Sequence, residues 1–116
     1  MKPKVLVTGN AGFIAPHILE ECKNRGWSSW GLDVLDPKDE DKISNIDYVK
    51  KNIFDINASD LDGTDYIAHM AFITNIPNSI KRPVESTYEN IDMTAHLLNE
   101  ATKAGVKKVV FPSTAS

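Results

Sequence analysis

Residues 8–15 read TGNAGFIA, with Gly9 and Gly12 three apart and Ala15 three further on, between an apolar run and a run with helical spacing. A glycine-rich turn from strand to helix can hold a phosphate. At Gly9 the missing Cβ permits a tight turn. At Gly12 it lets the backbone approach a pyrophosphate, whose charge is favoured by the free N–H groups at a helix N-terminus. Ala15 then falls where helix and strand pack closely and only a small side chain fits. Pro16 is tolerated in a first helical turn, where its missing N–H leaves no helical bond unmade. The same glycine pair is compatible with plain turn chemistry, so a second signal matters. It lies in GLDVLD, where Asp33 stands 21 positions after Gly12. A carboxylate there accepts hydrogen bonds from adenosine ribose hydroxyls and repels a 2′-phosphate, which favours NAD over NADP. A solvated or capping role for Asp33 stays open, and Asp36 is a nearby competitor.

These residues need a particular frame. Apolar runs bounded by turn residues occur at 4–8 (KVLVT), 29–33 (SWGLD), 47–52 (DYVKKN), 65–71 (DYIAHMA) and 107–113 (KKVVFPS), which predicts five short strands. Phe13, Ile14, Ile18, Leu19 and Cys22 recur with helical spacing, and Gly26 stands where a C-terminal cap ends the helix. Val84, Tyr88, Ile91, Ala95 and Leu98 mark one face of a second helix over about 84–104, closed by Gly105. The polar stretch 34–46 predicts a loop with at most a short helix. Strands alternating with helices imply an α/β fold with a mostly parallel sheet, covered on both faces and wound right-handed.

With 116 residues, 41% hydrophobic and 25% charged, the chain fits one globular domain. Net charge is −3 and the basic residues are dispersed, which argues against a nucleic-acid partner. No apolar run reaches membrane-spanning length, and MKPKVLV leads straight into a strand rather than a secretory segment, so the expected location is cytoplasmic. Cys22 is the single cysteine; its spacing with Ile14 and Ile18 reads as a small buried hydrophobe, with neither a disulfide nor a metal site expected.

With these residues placed, the chain resembles the N-terminal half of an extended short-chain dehydrogenase/reductase, the NAD-dependent epimerase/dehydratase family that includes UDP-glucose 4-epimerase. The resemblance covers essentially the whole chain and runs through four motifs in family order. TGNAGFIA resembles TGxxGFIG, NIFDI the GDI-type segment after the third strand, and YIAHMAF the VIHLAA-type fourth strand. The final stretch from Ser86 to Ser116 resembles the helix and strand that close on Ser-Ser/Thr-Ala. The resemblance implies a Rossmann-type doubly wound sheet in the order 3-2-1-4-5. It implies backbone contacts from Phe13 and Ile14 to the pyrophosphate, and contacts from Asp55 and Ile56 to adenine. Met70, Ala71 and Phe72 would line the path to nicotinamide, with Asn90 near the cofactor. Thr114 aligns with the catalytic serine/threonine, beside Ser113 and Ser116. His69 reads as a packed strand residue rather than a base. The substrate class implied is a nucleotide sugar.

The chain departs from the family pattern at Ala15, which replaces a third glycine, and at Phe72, where alanine or glycine is usual. The family's Tyr-x-x-x-Lys pair does not occur: Tyr48, Tyr66 and Tyr88 are followed four positions on by Asn52, Met70 and Asp92. The expectation is NAD binding without turnover, in a fold truncated after its fifth strand. That strand would leave an apolar edge near 106–113 for self-association. A free-standing dinucleotide-binding module acting through protein partners is the alternative. A flavodoxin-like or receiver-like domain is disfavoured, because the first strand ends in Thr8-Gly9 rather than in acidic residues.

Overall fold

The computed structural model describes residues 2–10, 12, 14–71 and 83–111, the side chains of 83–89 excepted. Five parallel strands form one sheet in the order β3-β2-β1-β4-β5: β1 Lys4–Thr8, β2 Ser28–Asp33, β3 Asp47–Lys50, β4 Tyr66–His69 and β5 Lys108–Val110. The predicted order and all five strands are present, the last three shorter than their apolar runs. Helix α1 (Ala15–Asn24) joins β1 to β2, and helix α2 (Pro83–Ala104) precedes β5. Between β2 and β3 the structure has only a 3-10 turn at Asp39–Asp41, in keeping with the polar composition of 34–46. No described helix is long and apolar enough to cross a membrane.

A strand buried on both faces reads as a continuous apolar run, and β1 is such a strand. Val5 and Val7 pack with Ala15, Leu19 and Cys22 of α1, while Leu6 points the other way to Leu97 and Ala101 of α2. The two helices therefore cover opposite faces. Helix α1 ends in a Schellman cap: Gly26 adopts φ +72°, Trp27 N–H donates to Cys22 O at 2.8 Å and Gly26 N–H to Lys23 O at 3.0 Å. Val106 N–H to Ala101 O closes α2 after Gly105 in the same pattern.

Two helical expectations are corrected. Ile14 is the N-cap of α1 and lies 54% exposed, outside the stripe formed by Ala15, Leu19 and Cys22. It precedes the first turn, so the helical period does not carry it onto the sheet. On α2 the predicted face is turned outward: Ile91, Ala95 and Leu98 are exposed, whereas Leu97 and Ala101 are buried and Met93 and Ala104 pack beside them. The side chains of Val84 and Tyr88 lie outside the described residues. The helix carries two apolar stripes, and polar ties select the inner one. His96 Nε2 donates to Ile56 O at 2.7 Å, and Glu100 Oε1 accepts from Ala58 N–H at 3.2 Å. Glu100 also accepts from Lys103 at 3.2 Å, which holds its carboxyl below the usual carboxylate range despite its burial.

This seating predicts opposite outcomes for neighbouring residues. Leu97→Ala should cost about 2–4 kcal/mol in urea unfolding. Ile91→Ser, one and a half turns earlier on the outward stripe, should stay within about 0.5 kcal/mol of the parent.

Candidate functional site

The site grows from the C-terminal end of β1. After Thr8 the chain turns at Gly9, whose N–H donates to Leu32 O of β2 at 2.7 Å. Gly9 has φ +75°, and a Cβ there would fall 2.9 Å from Ala71 N and from Met70 C and O, just past β4. The turn thus threads between the ends of the two strands that flank β1 on opposite sides. In a parallel α/β sheet that point, where the strand order changes direction, forms a crevice open to ligands.

Gly12 folds back on the turn. Gly12 N–H donates to Gly9 O at 2.9 Å, and a Cβ on Gly12 would come within 3.1 Å of the same oxygen. Helix α1 then starts with an N-cap, Ile14, that makes no side-chain hydrogen bond, and its first turn contains no acidic residue. Neither the N-cap nor the first turn therefore sets a negative side chain against the positive end of the helix. Ala15 is 1% exposed against Val5 and Val7, which explains the need for a small residue there. Phe13 lies outside the described residues.

Asp33 ends β2, one residue beyond the carbonyl that anchors Gly9. Its Oδ1 accepts the Leu35 N–H at 3.1 Å, and its carbonyl accepts Lys51 N–H at 2.9 Å. Asp36, the competing acid, pairs with Lys50 at 3.9 Å on the surface. Met70 and Ala71 are joined to β1 through Thr8 Oγ1, which accepts both of their N–H groups at 2.9 and 3.1 Å. His69, fully buried, bridges Thr8 Oγ1 at 2.7 Å and Thr94 Oγ1 of α2 at 3.1 Å. Burial lowers its pKa to about 4. Asn90 stands one helical turn before Thr94 and is partly exposed.

Gly9, Gly12, Ile14, the end of β2 with Asp33, Met70 and Ala71 therefore converge. Asp55 and Ile56 follow the end of β3. The 3-10 turn Ile53–Asp55 bends the chain after β3, leaving Asp55 exposed and placing Ile56, 2% exposed, in the core beneath α2. Beside Asp33 at the end of β3 stand its register partner Lys50 and then Lys51, while Asn52 Oδ1 accepts Phe54 N–H at 3.0 Å. Phe72 and Thr114, with Ser113 and Ser116, lie outside the described residues. Cys22 is buried in α1, and burial pushes its thiol pKa up, as suits a small hydrophobe.

Asn10 was not legible as a site residue. It is 1% exposed, its Oδ1 has no hydrogen-bond partner among the described residues, and a Cβ on Gly31 would fall 2.8 Å from the Asn10 Cβ. The one available signal is Gly31 itself, since a glycine inside a strand marks a close approach.

Residues 5–116 match the model of the NAD dependent epimerase/dehydratase family. The chain belongs to that family. It is 32% identical over 120 residues to a UDP-N-acetyl-alpha-D-glucosaminuronate decarboxylase of Bacillus cytotoxicus, covering 98% of this chain and 37% of that protein. UDP-glucose 4-epimerase of Thermotoga maritima, solved with UDP-glucose, superposes with a TM-score of 0.82 at 30% identity, covering 96% of this chain and 38% of that one. The Thermus thermophilus UDP-glucose 4-epimerase, solved as a complex with NAD, gives 0.80 at 29% identity over 96% and 37%. The chain thus spans little more than a third of the length of these epimerase/dehydratase relatives. Within that span, Tyr48 serves the fold: its hydroxyl accepts Ile43 N–H at 2.9 Å.

Two measurements check this geometry. Gly9→Ala should lose at least about 2 kcal/mol, from left-handed strain and the clash with the β4 end. Gly31→Ala should lose about 1–3 kcal/mol, and a double-mutant cycle with Asn10→Gly should show coupling between the two sites. For His69 the folded pKa lies below the unfolded one, so the unfolded chain binds the extra proton. Stability is then full above about pH 6.5 and falls as pH drops toward about 4, by roughly 2–3 kcal/mol. Urea unfolding at about pH 7 and about pH 4.5 should show a smaller acid loss in His69→Asn.

Proposed function

We propose that the chain binds NAD in preference to NADP, as the cofactor-binding part of an enzyme acting on a nucleotide sugar. The observation that carries this reading is the cradle of Gly9 and Gly12 at the switch point between β2 and β4, with Asp33 at the adjacent strand end. Both glycines stand where a Cβ would meet backbone, and the N-terminus of α1 is free of acidic side chains, so the residues present suit a pyrophosphate. Asp33 offers a carboxylate to a ribose diol and opposes a phosphate at the same place. Met70 and Ala71 border the path onward. Phe13, Phe72, Asn90 and Thr114 belong to this reading by resemblance.

Bound NAD supplies a hydride acceptor and donor for a sugar carbon. Residues 1–116 bind and orient it. The Tyr-x-x-x-Lys pair that handles the hydroxyl proton does not occur among them, so the chain is expected to bind cofactor without turning over a nucleotide sugar. The support for nucleotide-sugar chemistry is the solved relatives that hold UDP-glucose or NAD. The edge of β5, where Val110 and Phe111 are half exposed, is proposed to pair with a second copy of the chain. Light scattering at high concentration should then report more than a monomer.

Calorimetric titration should show NAD binding more tightly than NADP. Asp33→Ala should narrow that preference by about tenfold, equivalent to one charge-assisted hydrogen bond. Equal affinity of the parent for both cofactors would remove the role given to Asp33.

A further inference from the structure

The bonds that Thr8 makes decide which nitrogen of His69 carries the proton. Thr8 Oγ1 accepts N–H groups from Met70 at 2.9 Å and Ala71 at 3.1 Å, which occupies both hydroxyl lone pairs. Its own hydrogen is then left for His69 Nδ1, 2.7 Å away, and Nδ1 must accept. A neutral imidazole that accepts at Nδ1 carries its proton on Nε2, which donates to Thr94 Oγ1 at 3.1 Å. The edge of the Phe111 ring meets the imidazole at 5.9 Å and 79°, closing the side toward β5. Burial keeps the ring neutral down to about pH 4, so this arrangement holds at neutral pH.

We propose that His69 is a positioning residue for the cofactor: as the Nε2–H tautomer it orients the Thr8 hydroxyl, whose lone pairs seat Met70 and Ala71 against Gly9. The seat matters because Gly9 and the Met70–Ala71 peptide are close enough to exclude even a Cβ, so a small shift of the β4 end moves the wall of the crevice. Through Thr94 the same ring fixes α2, and with it Asn90 one turn earlier, relative to the glycine loop. This role rests on the NAD-binding reading.

The two ring nitrogens can be separated by substitution. Asparagine places an acceptor near Nδ1 and keeps the Thr8 bond. Glutamine places a donor near Nε2 and keeps only the Thr94 bond. In calorimetric titration with NAD, His69→Asn should stay within about twofold of the parent, and His69→Gln should bind about tenfold more weakly, the loss of one well-oriented hydrogen bond. Urea unfolding should show both variants destabilised, so that stability alone does not order them. Thr8→Ser against Thr8→Val repeats the comparison without altering the imidazole: serine should retain affinity and valine lose it. Equal NAD affinities for the asparagine and glutamine variants, or for serine and valine, overturn the proposal. Imidazole nitrogen NMR should find the proton on Nε2, and a proton on Nδ1 overturns it independently of any ligand. Absence of NAD binding by the parent chain would instead overturn the functional reading on which the role depends.

Discussion

The structure depends on one close crossing of backbones. Between β2 and β4 the chain leaving β1 must turn while its N–H reaches Leu32 O at 2.7 Å and its α-carbon lies against the Met70–Ala71 peptide. Only a residue without a side chain passes through that gap in a left-handed conformation. Once Gly9 is there, the ends of three parallel strands are drawn to one point, and the next residues can climb directly into α1. The crevice, the helix entrance and the carboxylate of Asp33 all take their places from that crossing.

Polar groups buried around it keep the strand ends in register. Thr8, Asn10 and His69 are among the least exposed of the described side chains, in a core that is otherwise mainly apolar. Thr8 and His69 form a continuous set of bonds from β1 through β4 to α2, so desolvating them is compensated. Asn10 is the exception, with a carbonyl oxygen unpartnered among the described residues and packed over Gly31 at the loop. The distribution is graded along the strands: apolar packing below, directional contacts where the chain reverses.

Much of the frame was readable from local pattern. KVLVT had to be a buried strand because its apolar run is short and ends in a glycine turn, and Gly26 had to end α1 because a strand resumes within a few residues. The helix 83–104 was recognisable in extent, yet its buried face was not. Ile91, Ala95 and Leu98 have the same spacing as Met93, Leu97, Ala101 and Ala104, and both stripes are apolar. The choice rests on His96, Glu100 and Thr94 finding partners at Ile56, Ala58 and His69, tens of positions away in the chain.

The sequence by itself determined the glycine turn and its setting: two glycines, a small residue and an acid at a strand end, each constrained by its immediate neighbours in the chain. Tertiary structure decided which elements meet that loop. It brought Met70 and Ala71 to Gly9, turned Ile56 into the core and put Lys50 and Lys51 beside Asp33. It also made His69 a bridge rather than a filler of space. The reason is one of range. Turn conformation and helix period act over a few residues, whereas pairing a buried donor with its acceptor is settled only when distant segments are packed together.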